Sequence, residues 1–85
     1  MTYPKAIGPY SACRKGGGLL FVSGQLPIDP ATGAFAQGGI EELTAQALKN
    51  IRANLEESGL GMDKVIKTTI LLKNIGDFAA ANAAY

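Results

Sequence analysis

The spacing of apolar positions is most regular between Ile40 and Ser58. Ile40, Leu43, Ala47, Leu48, Ile51 and Leu55 fall within one stripe at about 100° per residue, the period of an amphipathic helix. Glu41, Glu42, Lys49, Arg52, Glu56 and Glu57 occupy the other side. Glu41 and Glu42 also lie in the first turn, where carboxylates complement the helix dipole. Gly59 is placed to end the helix as its C′ residue.

The rest of the chain alternates short apolar runs with breakers. Leu19-Leu20-Phe21-Val22-Ser23 is β-prone and reads as a strand buried on both faces. Gly16-Gly17-Gly18 gives a permissive turn between extended segments at residues 10–15 and 19–23. Before it, Ala6-Ile7-Gly8-Pro9-Tyr10-Ser11 reads as an extended edge piece, because Pro9 cannot donate to a central ladder. Residues 25–39 form a long connection with turn chemistry at Asp29-Pro30-Ala31-Thr32-Gly33. Residues 65–73, Val-Ile-Lys-Thr-Thr-Ile-Leu-Leu-Lys, are β-branched and suit a central strand. Asn74 can then cap a last helix, with Asp77 in the place of a capping-box acid. That helix presents Phe78, Ala81, Asn82 and Tyr85 on one side.

The predicted order is β-β-α-β-α, an α+β arrangement in which three strands leave one of two helices without a partner. A terminal helix of about ten residues is marginal in isolation. The expectation is therefore that oligomerisation completes the core and that further sequence follows Tyr85. The 85 residues allow one domain at most.

Composition narrows the functional classes. The chain is 47% hydrophobic and 18% charged, which is globular rather than disordered. No apolar stretch approaches the roughly 20 residues that span a bilayer, and the start lacks a signal-peptide core. Both point away from a membrane and toward a cytoplasmic or organelle-interior address. The single cysteine, Cys13, cannot form an internal disulfide. Net charge is +1, with no basic run longer than Arg14-Lys15, so nothing resembles a nucleic-acid footprint. A small-molecule or protein partner fits better.

The candidates for chemistry are few. With no histidine, no Ser-His, Cys-His or His-metal arrangement exists within these residues. The glycine triplet lacks the Lys-Ser/Thr pair of a phosphate loop and reads as a hairpin turn. Tyr10 suits a phenol at a cleft edge or, equally, a tyrosine packed at the domain rim. Ser23-Gly24-Gln25 ends the apolar strand with a glycine that exposes backbone groups and admits a ligand, or is a plain strand exit. Asn82 reads as a carboxamide on the apolar face of the last helix, bound to backbone groups or to a polar substrate.

The order and wording of these segments resemble the Rid (RidA/YjgF) family of reactive-imine deaminases. The resemblance rests on Ala6-Ile7-Gly8-Pro9-Tyr10-Ser11, on Leu19 to Pro27, and on Asp29-Pro30-x-Thr32-Gly33. It continues through Gln46-Ala47-Leu48-x-Asn50-Ile51, Val65-Ile66-Lys67-Thr68-Thr69 and Asp77-Phe78-x-x-x-Asn82-x-x-Tyr85. It implies a chorismate-mutase-like fold, a mixed sheet with two helices on one face, assembled as a homotrimer with clefts between subunits. It also implies hydrolysis of 2-imino acids and enamines to 2-keto acids and ammonia, without a cofactor or metal. Tyr10 and Asn82 would be the catalytic residues, and Ser23 and Gly24 would bind substrate.

Two departures accompany the resemblance. Family members continue past the last helix into strands carrying a carboxylate-clamping arginine and a water-positioning glutamate. On that pattern, residues 1–85 form a single domain that is C-terminally incomplete, and alone would be inactive and poorly stable. Ala12-Cys13-Arg14 also replaces a stretch that is usually polar and then apolar, which implies a subgroup with its own substrate. The alternatives on the same fold are a non-enzymatic module that binds small carboxylic acids and a trimeric interaction or chaperone-like protein.

Overall fold

The computed structural model describes residues 3–5, 8 and 11–85. Its first element is an antiparallel hairpin of β1 (Cys13–Gly16) and β2 (Leu19–Val22), in the register Cys13↔Val22, Arg14↔Phe21, Lys15↔Leu20 and Gly16↔Leu19. Gly17 and Gly18 form the connection with φ of 59° and 78°. Positive φ at both central residues matches the twist of the flanking strands, and only glycine takes it without strain. The hairpin reading of the glycine triplet is therefore observed. The segment at residues 6–11 lies mostly outside the described residues.

The strand at 19–23 is not buried on both faces. Leu20 and Val22 are half-buried, whereas Leu19 and Phe21 are 47% and 61% exposed. Alternate side chains of a strand point to opposite faces, and here only one face is covered.

The α1 helix (Ile40–Glu57) ends within a residue of the predicted boundary. At its start the Glu42 carboxylate accepts the Gly39 N–H at 3.0 Å, satisfying one orphan donor of the first turn. At its end Gly59, with φ of 79°, donates to Glu56 O at 3.0 Å while Leu60 donates to Leu55 O at 2.8 Å. This paired arrangement is a Schellman cap. The exposed face is the one anticipated, with Glu41, Glu42, Lys49, Arg52, Glu56 and Glu57 in solvent.

The inner face differs in kind. The most buried positions of α1 are Asn50, Ala53, Asn54 and Leu55, and the apolar stripe from Ile40 to Ile51 is only half-buried. The α2 helix (Phe78–Ala84) packs on α1 through Ala81, its one buried residue among the described. Ala53 and Ala81 are each 1% exposed, and side chains this small permit close approach of two helices.

Two further expectations fail on the C-terminal side. Residues 65–73, expected as a strand, form no ladder among the described residues, where the sheet has two strands. The backbone is extended at both ends of this segment, at Val65 (φ −68°, ψ 127°) and Asn74 (φ −122°, ψ 121°). No described residue joins it in a ladder, which β propensity cannot supply. Ile66 and Leu71 stand 83% and 90% exposed along it. The observed order is therefore β-β-α-α, with 3₁₀ turns at Met62–Lys64 and Ile75–Asp77. The cap is also rearranged: Asn74 heads the second 3₁₀ turn, Asp77 heads α2, and neither side chain caps. A hydroxyl–hydroxyl hydrogen bond between Thr68 and Tyr85 ties the extended segment to the end of α2.

Candidate ligand cleft

The site begins where β2 runs out. Ser23 continues the hairpin by donating its N–H to Ala12 O at 2.9 Å, and its hydroxyl donates to Ser11 O at 2.6 Å. The Gln25 amide folds back to donate to Ser23 O at 3.2 Å. Between them Gly24 is exposed, and a Cβ built on it would meet nothing within 4 Å. Neither its N–H nor its C=O is engaged by a described residue. This irregular exit from the strand, held at Ser23 and bent at Pro27, leaves open backbone groups and no side chain at Gly24, which admits a polar ligand closely.

The chain leaving this turn is folded into a second small hairpin. Ile28 bridges Phe35, Ala36 N–H donates to Pro27 O at 2.9 Å, and Asp29 N–H donates to Ala34 O at 2.8 Å. At the tip the Asp29 carboxylate accepts the Ala31 N–H at 2.8 Å and Gly33 N–H closes on Asp29 O at 2.8 Å, the turn that Asp-Pro-x-x-Gly promises.

Helix α1 holds this hairpin with an amide. Asn50 Nδ2 donates to Leu26 O at 3.0 Å and to Ile28 O at 2.9 Å, and Gln46 Nε2 donates to Asn50 Oδ1 at 3.0 Å. One turn on, Asn54 Nδ2 donates to Asn50 O at 2.8 Å, while the buried Asn54 Oδ1 has no partner among the described residues. Sequence reading missed these amides, although their signal was present. At about 100° per residue Asn50 and Asn54 lie within about 20° of Leu43, which stands at one edge of the apolar stripe.

The predicted site residues meet different fates. Ser23 and Gly24 are adjacent in the turn just described. Tyr10 lies outside the described residues. Asn82 is not buried on an apolar face: it is exposed, and no described residue bonds its amide. Ala81, one position earlier, faces α1 instead, and the side of α2 bearing Phe78 (55% exposed), Asn82 and Tyr85 (52%) is open. Cys13 is half-buried on β1 opposite Val22.

Away from Ser23 and Gly24, the Tyr3 phenol is pushed up by a hydrogen bond to the Glu57 carboxylate, then by burial and by the nearby charges of Glu57 and Cys13. Among the described residues no cluster of His, Cys, Asp and Glu could hold a metal, and no helix is long and apolar enough to cross a membrane.

Residues 1–85 match the family model described as Endoribonuclease L-PSP. A RutC family protein of Pyrococcus horikoshii is 50% identical over 82 residues, covering 96% of this chain and 65% of that protein. The 2-iminobutanoate/2-iminopropanoate deaminase of Salmonella typhimurium is 42% identical over 82 residues, covering 96% of this chain and 63% of the enzyme. Among solved structures, E. coli TdcF with bound serine superposes with a TM-score of 0.92 at 34% identity, covering 98% of this chain and 65% of that one. The chain thus spans just under two thirds of the length of these relatives. The turn geometry, the α+β arrangement and the matches along the whole sequence agree: this chain belongs to the Rid family, the YjgF/Endoribonuclease L-PSP group, and has its fold.

Proposed function

We propose that the full-length protein hydrolyses reactive 2-imino acids and their enamine tautomers to 2-keto acids and ammonia. The observation that carries this reading is the Ser23–Gly24 turn, anchored on both sides and open between, in a chain 42% identical to a named imine deaminase. The chemistry asks little of the protein. Water adds to the C=N carbon to give a carbinolamine, the C–N bond then breaks, and ammonia leaves with the carbonyl formed. An imine reacts this way unaided, so catalysis consists of orienting substrate and water and stabilising developing charge. No activated nucleophile is required.

In this reading the Gly24 backbone and Ser23 hold the substrate, while Tyr10 and Asn82 orient it and the attacking water. An exposed Asn82 fits a cleft closed by another subunit, and the assembly proposed is a homotrimer with clefts between subunits, working in the cytoplasm. Threonine dehydratase or an amino-acid oxidase supplies fresh imine, whose decay is followed with and without the full-length protein. Acceleration over buffer supports the deaminase, and its absence rules it out.

The serine bound to E. coli TdcF favours a second reading, a module that binds small amino or keto acids without turning them over. Calorimetric binding of 2-oxobutanoate with no imine acceleration is its expected signature. Cleavage of RNA without either behaviour would overturn both readings.

A further inference from the structure

We propose that Asn50 is a positioning residue for the ligand turn, setting the direction of the Gly24 backbone through Leu26 rather than by touching the ligand. This inference rests on the reading of Ser23–Gly24 as a ligand site. The six residues from Ser23 to Ile28 are anchored at their two ends. At one end Ser23 is fixed to Ser11 and Ala12 by two hydrogen bonds. At the other, the Asn50 amide spends both of its protons on Leu26 O and Ile28 O, at 3.0 and 2.9 Å. Pro27 lies between those two acceptors with its φ fixed by the ring, so the clamped piece is stiff. Gly24 lies two residues before Leu26 and has neither a side chain nor a described hydrogen bond to hold it. Its orientation follows from the two anchors.

The amide can face the hairpin in one sense only. Gln46 Nε2 donates to Asn50 Oδ1 at 3.0 Å, and the reversed amide would set that oxygen against two carbonyls. At 1% exposure no water competes for these contacts, so a lost donor is not replaced. Gln46 thus acts through Asn50, and Asn50 through Leu26, on a turn that neither touches.

The test uses the full-length protein, with Asn50→Leu to remove the donors and Gln46→Met to release the amide orientation. Leu55→Ala, a core change on the same helix, serves as a control for lost stability. Three readouts are taken: the amide NMR signals of Gly24 and Gln25, the Kd for 2-oxobutanoate, and kcat and KM for imine decay. Asn50→Leu is expected to shift both amide signals and to raise Kd and KM about tenfold, the weight of roughly one hydrogen bond. Gln46→Met moves the same quantities in the same direction by two- to threefold, about a third of that hydrogen-bond weight. Leu55→Ala lowers Tm without moving either. Wild-type amide signals, Kd and KM in Asn50→Leu, with only Tm lowered, would overturn the proposal. If Asn50→Leu does not fold, Gln46→Met decides on the same readouts. A wild type that neither binds 2-oxobutanoate nor accelerates imine decay would sink the ligand-site reading. The Gly24 signal would still report whether Asn50 sets the turn, and an unmoved signal would reject the clamp.

Discussion

Two stretches of this chain have opposite relations to their sequence. Residues 25–39 are rich in Pro and Gly and contain no regular strand or helix, yet they are tightly ordered by hydrogen bonds within the chain. Residues 65–73 are among the most β-prone in the protein, yet they form no ladder with any described residue and leave Ile66 and Leu71 in solvent. Turn chemistry and a buried amide are local and can be satisfied by residues nearby in space. A strand depends on a neighbour, and strong propensity without one yields extended backbone only.

Replacing the amide of the clamp by a carboxyl should have the largest effect. Asn50→Asp removes two N–H donors and sets a carboxylate against two carbonyls, a destabilisation of about 3 kcal/mol or more at neutral pH. Burial against two carbonyls, with Gln46 as the one donor, raises the folded-state pKa of that carboxyl above the unfolded value of about 3.9. The protonated form can still donate to one carbonyl. Stability should therefore be retained at acid pH and fall as pH rises through the raised folded pKa. Urea midpoints measured across the pH range would test this, and a pH-independent deficit would count against the clamp.

The paired leucines sharpen the contrast between the two stretches. Leu55 is 6% exposed, so Leu55→Ala should cost about 2–4 kcal/mol, whereas Leu71, 90% exposed, should cost under about 0.5 kcal/mol in the 85-residue chain. Measured in the full-length protein, Leu71→Ala becomes informative. A cost of about 2 kcal/mol there would mean that this segment gains a covering neighbour outside the residues described.

Gly59→Ala should cost about 1 kcal/mol, all of it backbone strain, because φ is 79° and nothing lies within 4 Å of the new Cβ. Chemical denaturation of the variant beside Ser58→Ala separates this from a general end effect. Smallest of all is Tyr3. Its phenol is raised by Glu57, so the contact is present below the unfolded pKa of about 10 and lost as pH rises through the folded value. Ultraviolet titration of Glu57→Gln should show the phenol ionising at lower pH than in the parent chain.

Much of the fold was legible because its signals are local. The 3.6-residue period of α1 and the glycine at its end locate that helix, and the glycine triplet locates the hairpin. The misreadings share one cause, the assumption that polarity and propensity decide placement alone. Asn50 and Asn54 flank Leu43 at the edge of the apolar stripe and are polar, so the helical period alone does not mark them as buried; the carbonyls of Leu26 and Ile28 account for Asn50. Asn82 was assigned to the buried side of α2 by its spacing from Phe78. Ala81 takes that side because a small residue allows α2 close to α1. For the site, Ser23 and Gly24 were readable as a strand exit with a permissive glycine. Asn82 stands exposed on α2 with no described hydrogen bond to either of them, and such tertiary placement is not encoded in spacing.

The central claim is that the Ser23–Gly24 turn receives the substrate of an imine hydrolase. Imine decay under the full-length protein, measured at varied imine supply for the wild type and Gly24→Ala, tests it most directly. Gly24 has no positive φ and open space around it, so the variant should keep its wild-type Tm. The account predicts acceleration over buffer by the wild type, and a KM raised about tenfold or more in the variant, where a methyl group blocks close approach of the ligand to the backbone. No acceleration by the wild type, or a variant with unchanged kinetics, would contradict it.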